Sequence, residues 1–560
     1  MERLLRLFIF FLRLPVELHA VRRKPQLNSL LSLHLVVILC LTLMAGWLRF
    51  TAINFGLPDQ DEAHLFRPDE SILISRAISF GPNWNPHIAF YPPLQMYVQS
   101  AALRTYAALH GHWSDFRSMY ADHNWALAYL IGRETTAAFG TATIVAIYAA
   151  TVTFFGFGAA LGAAAMAAVV TFHVLSSKAA TTDVAAGFWT TLAIAMIFQI
   201  VRYGRWRHYL AAGIFSGLAI ATKYPAGGIL FGIAAAHLEV HFRRKGSLLD
   251  ALRDGRIYVA MSAAILATIC AAPYLVLDWS RTVSDFKLQW AQSMPGTMNP
   301  YGCSWLMLRA LPNCFGIILE CLVIGGLLWG AFNPKRGTLP LVVFIVVEFL
   351  ALATVHRVFF RYFVIPLPAM VILAAVFASD ITALAAAKLG RKLAAAGATA
   401  IVAAIIVSFL ARDLELNRLL LRSDTRTLAR QWVEAHIPAG STIAVTQNGF
   451  PYGRPQLSSE YKLVPIDESL DALRARGILW VVSDSLDQLP RWSHGPSPRQ
   501  QSELGAQAAL VLDIDPIRPG AATPVFDPED AFYVPIRNVA SMERPGPRIR
   551  IWRLKKAGQF

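Results

Sequence analysis

Five ionisable residues stand at the edges of long apolar runs: Asp69, Glu70, Asp183, Lys223 and Arg361, with His356 and Arg357 beside the last. Charge near a bilayer is costly, so charges kept there call for a functional reading. A carboxylate can take the proton of an attacking hydroxyl. Lys and Arg can meet the negative charge that develops on a departing phosphate. The set holds both halves of a transfer from a phosphate leaving group onto a hydroxyl. Each member also has a structural reading. Asp69 and Glu70 could complement a helix dipole, and Asp183, after Thr181-Thr182, could cap a helix. Lys223 could snorkel to headgroups, and Arg361 could anchor on lipid phosphate. Arg133 is expected to pair with an acid, and His110, His112 and His123 read as solvated rather than as metal ligands. The five cysteines lack paired ligand spacing, which argues against zinc. Cys40, Cys270 and Cys321 sit in apolar runs, and a Cys303–Cys314 disulfide is left open.

The elements that must position these residues are membrane spans. Of 560 residues, 55% are hydrophobic and 16% charged, against about 25% charged in soluble domains. Apolar runs fall at 29–49, 127–154, 157–176, 184–201, 209–222, 225–241, 257–277, 314–332, 338–355, 362–378 and 393–410. By length and flanks these make about eleven spans. The first is preceded by Arg22, Arg23 and Lys24 and reads as a retained span with the N-terminus inside, rather than a cleaved signal. Alternation then places the basic clusters inside: Arg202/Arg205/Arg207, Arg243 to Arg256, Lys335/Arg336, and Lys388/Arg391/Lys392. That agrees with the positive-inside rule. The net charge of +15 is explained by these loops, so no nucleic-acid partner is implied. All five candidate residues fall on the outer side.

In the first outer segment, 51–125, Pro68-Asp69-Glu70 opens a helix that ends at Gly81-Pro82, with Pro and acids in its first turn. A second helix begins at Tyr91-Pro92-Pro93. Both have apolar faces and are expected to lie in the interface. From 411 the composition turns soluble. A helix is expected at 413–436 and strands at 442–446, 478–483, 508–513 and 549–553. The chain thus reads as an all-α polytopic membrane part, 1–410, followed by a small α+β domain outside the membrane, 411–560. The tail shows too few catalytic signals to be an enzyme by itself.

These residues carry a resemblance. Phe-Arg-Pro-Asp-Glu (66–70) and Asn-Pro-His-Ile-Ala-Phe-Tyr-Pro-Pro-Leu (85–94) resemble the first outer loop of family-39-type glycosyltransferases of the GT-C fold. The resemblance continues through Gly132-Arg133, Ser177 to Asp183, Gly217 to Pro225, and Arg361 to Pro368, spanning the membrane part. It implies that Asp69 is the catalytic carboxylate, with Glu70 completing the pair. It implies Asp183 as a second acid or acceptor-positioning residue, Lys223 as the holder of the donor phosphate and Arg361 as a second phosphate contact. Relatives that transfer aminoarabinose to lipid A carry a Glu-Lys pair before a proline in the first loop. Here that place reads Ala89-Phe90-Tyr91-Pro92, which argues against that activity. The central extra domain of eukaryotic protein mannosyltransferases is also missing.

The expectation is an inverting, metal-independent glycosyltransferase. Its donor would be a polyprenyl-phosphate sugar, its acceptor an unspecified glycan, lipid or protein, and it would need no cofactor. The abundance of Ala and Arg points to a bacterial source, hence to the inner membrane with a periplasmic site. A transporter or lipid flippase is the alternative from another class, but it would keep polar residues at mid-span and show internal pseudo-symmetry. A lipid-pyrophosphate-dependent oligosaccharide transferase is a third reading, expected to need a metal and more acids.

Overall fold

The computed structural model describes residues 25–58, 67–110, 120, 124–293, 311–333, 336–355, 358–446, 452–466, 469–489, 492, 495–530 and 532–555. Phe66, His112, His123, Cys303, Lys335, His356, Arg357 and the basic flank at 22–24 lie outside them. Cys314 is a free, buried thiol.

The chain is a polytopic helical membrane protein with a small mixed tail. Among the described residues, five helices are long and apolar enough to cross a membrane: Trp125–Phe155, Asp183–Tyr203, Leu311–Phe332, Leu367–Leu389, and the one that begins at Arg391. Shorter apolar helices cover His34–Phe50, Phe157–Val169, Gly255–Ala271 and Leu339–Ala353. The run at 157–176 is broken at Val170, whose extended backbone separates Phe157–Val169 from Thr171–Ser176. The Gly- and Pro-rich stretch between 209 and 241 forms the helices Trp206–Thr222 and Ile229–Arg243, joined by a 3-10 turn at Tyr224–Gly228.

Small residues let these helices approach closely. A Cβ at Gly213 would collide with the Ala260 carbonyl oxygen, and one at Gly217 with that of Ala264. The Trp206–Thr222 and Gly255–Ala271 helices therefore meet backbone to backbone along a Gly-x-x-x-Gly face. Gly187 serves a similar purpose, since a Cβ there would sit 3.1 Å from the Val364 oxygen. That close approach seats the Phe360–Val364 turn on the Asp183–Tyr203 helix.

Charge is sorted along single helices. Asp183–Tyr203 carries Asp183 at one end and Arg202 at the other, about 30 Å apart at 1.5 Å per residue. Trp206–Thr222 runs back, so Lys223 returns to the Asp183 end. At the opposite end Arg256 donates to the Gly204 oxygen, with Arg244 alongside. Two packing helices thus hold the acids and Lys223 at one face and the basic clusters at the other.

In the tail, one helix ends at Leu420 and Asp424 caps the next, its side chain accepting from the Arg426 N–H at 2.8 Å. The expected 413–436 helix is therefore two, Arg391–Leu420 and Thr425–His436. Among the described residues five strands follow: β1 (Thr442–Val445), β2 (Lys462–Pro465), β3 (Trp480–Ser485), β4 (Ala508–Ile514) and β5 (Arg548–Leu554). Their order is β2-β1-β3-β5-β4. β1 pairs in parallel with β2 and β3, and β5 runs antiparallel between β3 and β4. Thr425–His436 covers one face through Ala429 and Val433; Leu470 and Leu504 pack on the other.

Candidate active site

Proline and the apolar spacing start the helix Pro68–Ser79, and its first turn presents Asp69 and Glu70. Being adjacent on a helix, the two acids point apart. Asp69 Oδ2 accepts from Arg361 Nη2 at 2.5 Å. Glu70 is fully buried and takes Arg133 Nε and Nη2 at 2.8 Å each, plus the Ala180 N–H at 2.7 Å. Arg133 also donates to the Ile53 and Phe55 carbonyls. Glu70 therefore ties the first loop to the second large helix and to the 177–183 joint. Lys178 secures that joint by donating to the Leu48, Arg49 and Thr51 carbonyls at the end of Pro25–Phe50. A cation there satisfies orphan carbonyls of a helix C-terminus.

Asp183 is the first residue of its helix, after the N-cap Thr182. Its Oδ1 accepts from Lys223 Nζ and its Oδ2 lies 3.8 Å from Arg361 Nε. Lys223 is also 4.5 Å from the Tyr362 ring. Arg361, on the 3-10 turn Phe360–Val364, is the hub that brings Asp69 and Asp183 together. Tyr224, next to Lys223, donates its hydroxyl to the Ala89 oxygen at 2.5 Å. The Ala89 N–H donates to Asp285 at 2.6 Å. The second motif of the first loop is thereby stapled to the Lys223 turn and to the helix Trp279–Ser293, which lies between the apolar runs 257–277 and 314–332.

The tail supplies groups that sequence reading missed. Asp530 Oδ2 lies 3.4 Å from Arg361 Nη1. Asp527 Oδ2 accepts the Phe360 N–H at 2.7 Å, one residue before Arg361, and its Oδ1 accepts from the Glu529 N–H at 3.0 Å. The Arg67 guanidinium sits 3.2 Å from the centre of the Phe532 ring, whose edge meets Phe55 at 5.6 Å. One signal could have pointed here: three acids cluster in Asp527-Pro528-Glu529-Asp530 between aromatic residues.

Electrostatics follow from this crowding. Burial works to lower the Arg361 pKa, but Asp69, Asp530 and Asp183 outweigh it and hold the guanidinium above its ordinary value. Burial lowers Lys223, with Asp183 opposing. Burial pushes Asp527 up to about 8, with Asp530 adding to the rise. Asp530 is raised by burial against the pull of Arg361 and Arg67. Burial holds Tyr91 well above the usual tyrosine range, and Asp69 adds to it.

The described residues that group at metal-ligand spacing, His237, His241 and Asp254, belong to the opposite end of the molecule. They are already engaged. His237 bonds the Tyr209 hydroxyl at 2.8 Å and the Ala251 oxygen at 2.9 Å. Asp254 bonds His241 at 2.8 Å and Arg256 at 2.9 Å and 2.8 Å.

Several solved glycosyltransferases align with the chain. The Archaeoglobus fulgidus oligosaccharyltransferase tethered to an acceptor peptide aligns with a TM-score of 0.47 and 15% identity, over 80% of this chain and 69% of that one. ArnT from Cupriavidus metallidurans bound to undecaprenyl phosphate gives 0.45 and 14%, over 92% and 97%. The S. cerevisiae protein O-mannosyltransferase Pmt1–Pmt2 complex bound to the sugar donor gives 0.33 and 19%, over 50% and 36%. No curated protein matches in sequence. Residues 131–276 match the family described as dolichyl-phosphate-mannose-protein mannosyltransferase. Through that stretch, which holds Arg133, Asp183 and Lys223, the chain resembles the GT-C-fold glycosyltransferases, as the order of its motifs implied.

Proposed function

We propose that this chain is an inverting glycosyltransferase that moves a sugar from a polyprenyl-phosphate donor to an acceptor on the outer, periplasmic side of a bacterial inner membrane. The observation that carries the reading is the convergence of Asp69, Asp183, Lys223 and Arg361, from four distant segments, into one linked cluster. The membrane part, 1–410, would bind the lipid donor, and 411–560 would stand outside. In the reaction the acceptor oxygen attacks the anomeric carbon and its proton passes to Asp69. The bond from that carbon to the phosphate oxygen breaks with inversion, and the lipid phosphate leaves with the electron pair. Lys223 and Arg361 meet the charge it gains. Asp183 keeps Lys223 aimed, and Glu70, remote from the cluster's centre, holds the helix that presents Asp69.

Metal independence is part of this reading, because the Arg361 guanidinium already gathers the carboxylates that a divalent ion would otherwise collect. One observation favours the lipid-pyrophosphate oligosaccharide transferase as a second reading: Asp527 and Asp530 add acids to the set. The test is transfer of labelled sugar from polyprenyl-phosphate donors to membrane acceptors by wild type, Asp69→Asn and Lys223→Ala, with and without chelator. Transfer by wild type alone, insensitive to chelator, supports the proposal. Activity retained by Asp69→Asn removes its mechanism, and loss of wild-type transfer on chelation moves the case to the second reading.

A further inference from the structure

Every nitrogen of the Arg361 guanidinium faces a carboxylate: Nη2 has Asp69 at 2.5 Å, Nη1 has Asp530 at 3.4 Å, and Nε has Asp183 at 3.8 Å. A guanidinium offers five N–H donors in a fixed fork, and with three carboxylates ranged around it an arriving phosphate competes with them for the same charge. Asp69 forms the shortest contact, and Asp183 is held a second time by Lys223. Asp530 has a long contact and an alternative cation close by, since its carboxylate also feels Arg67. It is the member that can leave.

The space at this point is narrow. Arg67, Asp69, Arg361, Asp527, Asp530 and Phe532 surround a cavity of about 40 Å3. That holds a few water molecules and no sugar, since ligand sites run to roughly 300 Å3 and more. One wall is formed by Phe526, Asp527, Asp530, Phe532 and Val534 of the tail. It is fastened by the bond from Phe360 N–H to Asp527, by Phe532 under Arg67 and by the Tyr533 hydroxyl donating to the Trp492 oxygen at 2.5 Å.

We propose that Asp530 is a further residue of the site, a tail-borne placeholder for the donor phosphate on Arg361 that yields to the phosphate when the donor binds. Asp527 is its positioning partner, fixing the turn that carries Arg361. The tail then belongs to the donor site, and its wall is released by the substrate itself. This rests on the reading of Lys223 and Arg361 as phosphate-binding.

The test measures binding of undecaprenyl phosphate to the full-length protein in detergent, with undecaprenol as the neutral control. Asp530→Asn removes the competing charge while keeping the side-chain shape. It is expected to tighten the phosphate lipid about fivefold, the worth of a weak ion pair, and to leave undecaprenol unchanged. Lys223→Ala is expected to weaken the phosphate lipid more than tenfold. In wild type, hydrogen exchange in 526–530 and 532–534 should rise when the phosphate lipid is added. If Lys223→Ala loses affinity but Asp530→Asn gains none, the placeholder role is overturned and the phosphate site stands. If Lys223→Ala binds as wild type does, the phosphate reading falls and takes the placeholder with it.

Discussion

Adjacent in the chain, Asp69 and Glu70 answer to different arginines: Asp69 to Arg361 across the cavity, and Glu70 to Arg133 inside the bundle. The first pair is partly open, with Asp69 25% exposed, and the second is sealed, with Glu70 at 0%. That difference separates a group that can meet a substrate from one that holds the structure together.

Substitution should therefore split the two. Glu70→Ala leaves the Arg133 charge buried and alone, at a cost of about 3–5 kcal/mol, and should lower the unfolding temperature sharply in detergent. Asp69→Asn should leave that temperature nearly unchanged while reducing transfer by about 10²–10⁴-fold, the usual worth of a general base. A large thermal loss with Asp69→Asn, or none with Glu70→Ala, would reverse the two assignments.

The pairing of Arg133 with an acid was legible in the sequence, because a lone arginine inside an apolar helix needs a partner. So were the helix at Pro68, the break between the runs 209–222 and 225–241, and four of the five strands. The strand at 462–465 was not, since Lys462 and Pro465 flank just two apolar residues at the sheet edge. The amphipathic helix Trp279–Ser293 lay hidden between the apolar runs 257–277 and 314–332, because its polar face lowers its mean hydropathy. The tail's share of the site was the least legible part. Asp527 and Asp530 are ordinary loop acids until tertiary contact sets them against Phe360 and Arg361, and that contact spans more than 160 residues.

The Lys223 turn depends on a glycine face far from the chemistry. Gly217→Leu would drive a side chain into the Ala264 carbonyl and Ala267, where overpacking typically costs about 1–3 kcal/mol. The expected outcome is a lower unfolding temperature together with weakened transfer, since Lys223 follows at the end of the same helix. Gly227→Ala, which meets only Ile220 at 3.7 Å and 3.8 Å, should be tolerated in both measurements.

Docking of the tail wall should depend on pH, with a sign set by its acids. Burial raises Asp527 from 3.8 to about 8 in the folded protein and raises Asp530 in the same direction. Each binds its proton more tightly when docked than when released. The stabilisation is therefore complete below pH 4 and is lost as pH climbs through about 8. Limited proteolysis or hydrogen exchange at 526–530 and 532–534, followed from pH 5 to pH 9, should show rising exposure. The groups facing these acids are Arg361, Arg67, Asp69 and Asp183, with Tyr362 and Cys314 beside Asp527. The two arginines keep their charge over that range, so they cannot themselves produce the trend. Asp527→Asn keeps an acceptor for the Phe360 N–H but has no proton to lose, and should flatten most of the dependence. If the variant follows the wild-type profile, the titrating group is elsewhere, and Asp527 acts on the Arg361 turn through its hydrogen bond alone.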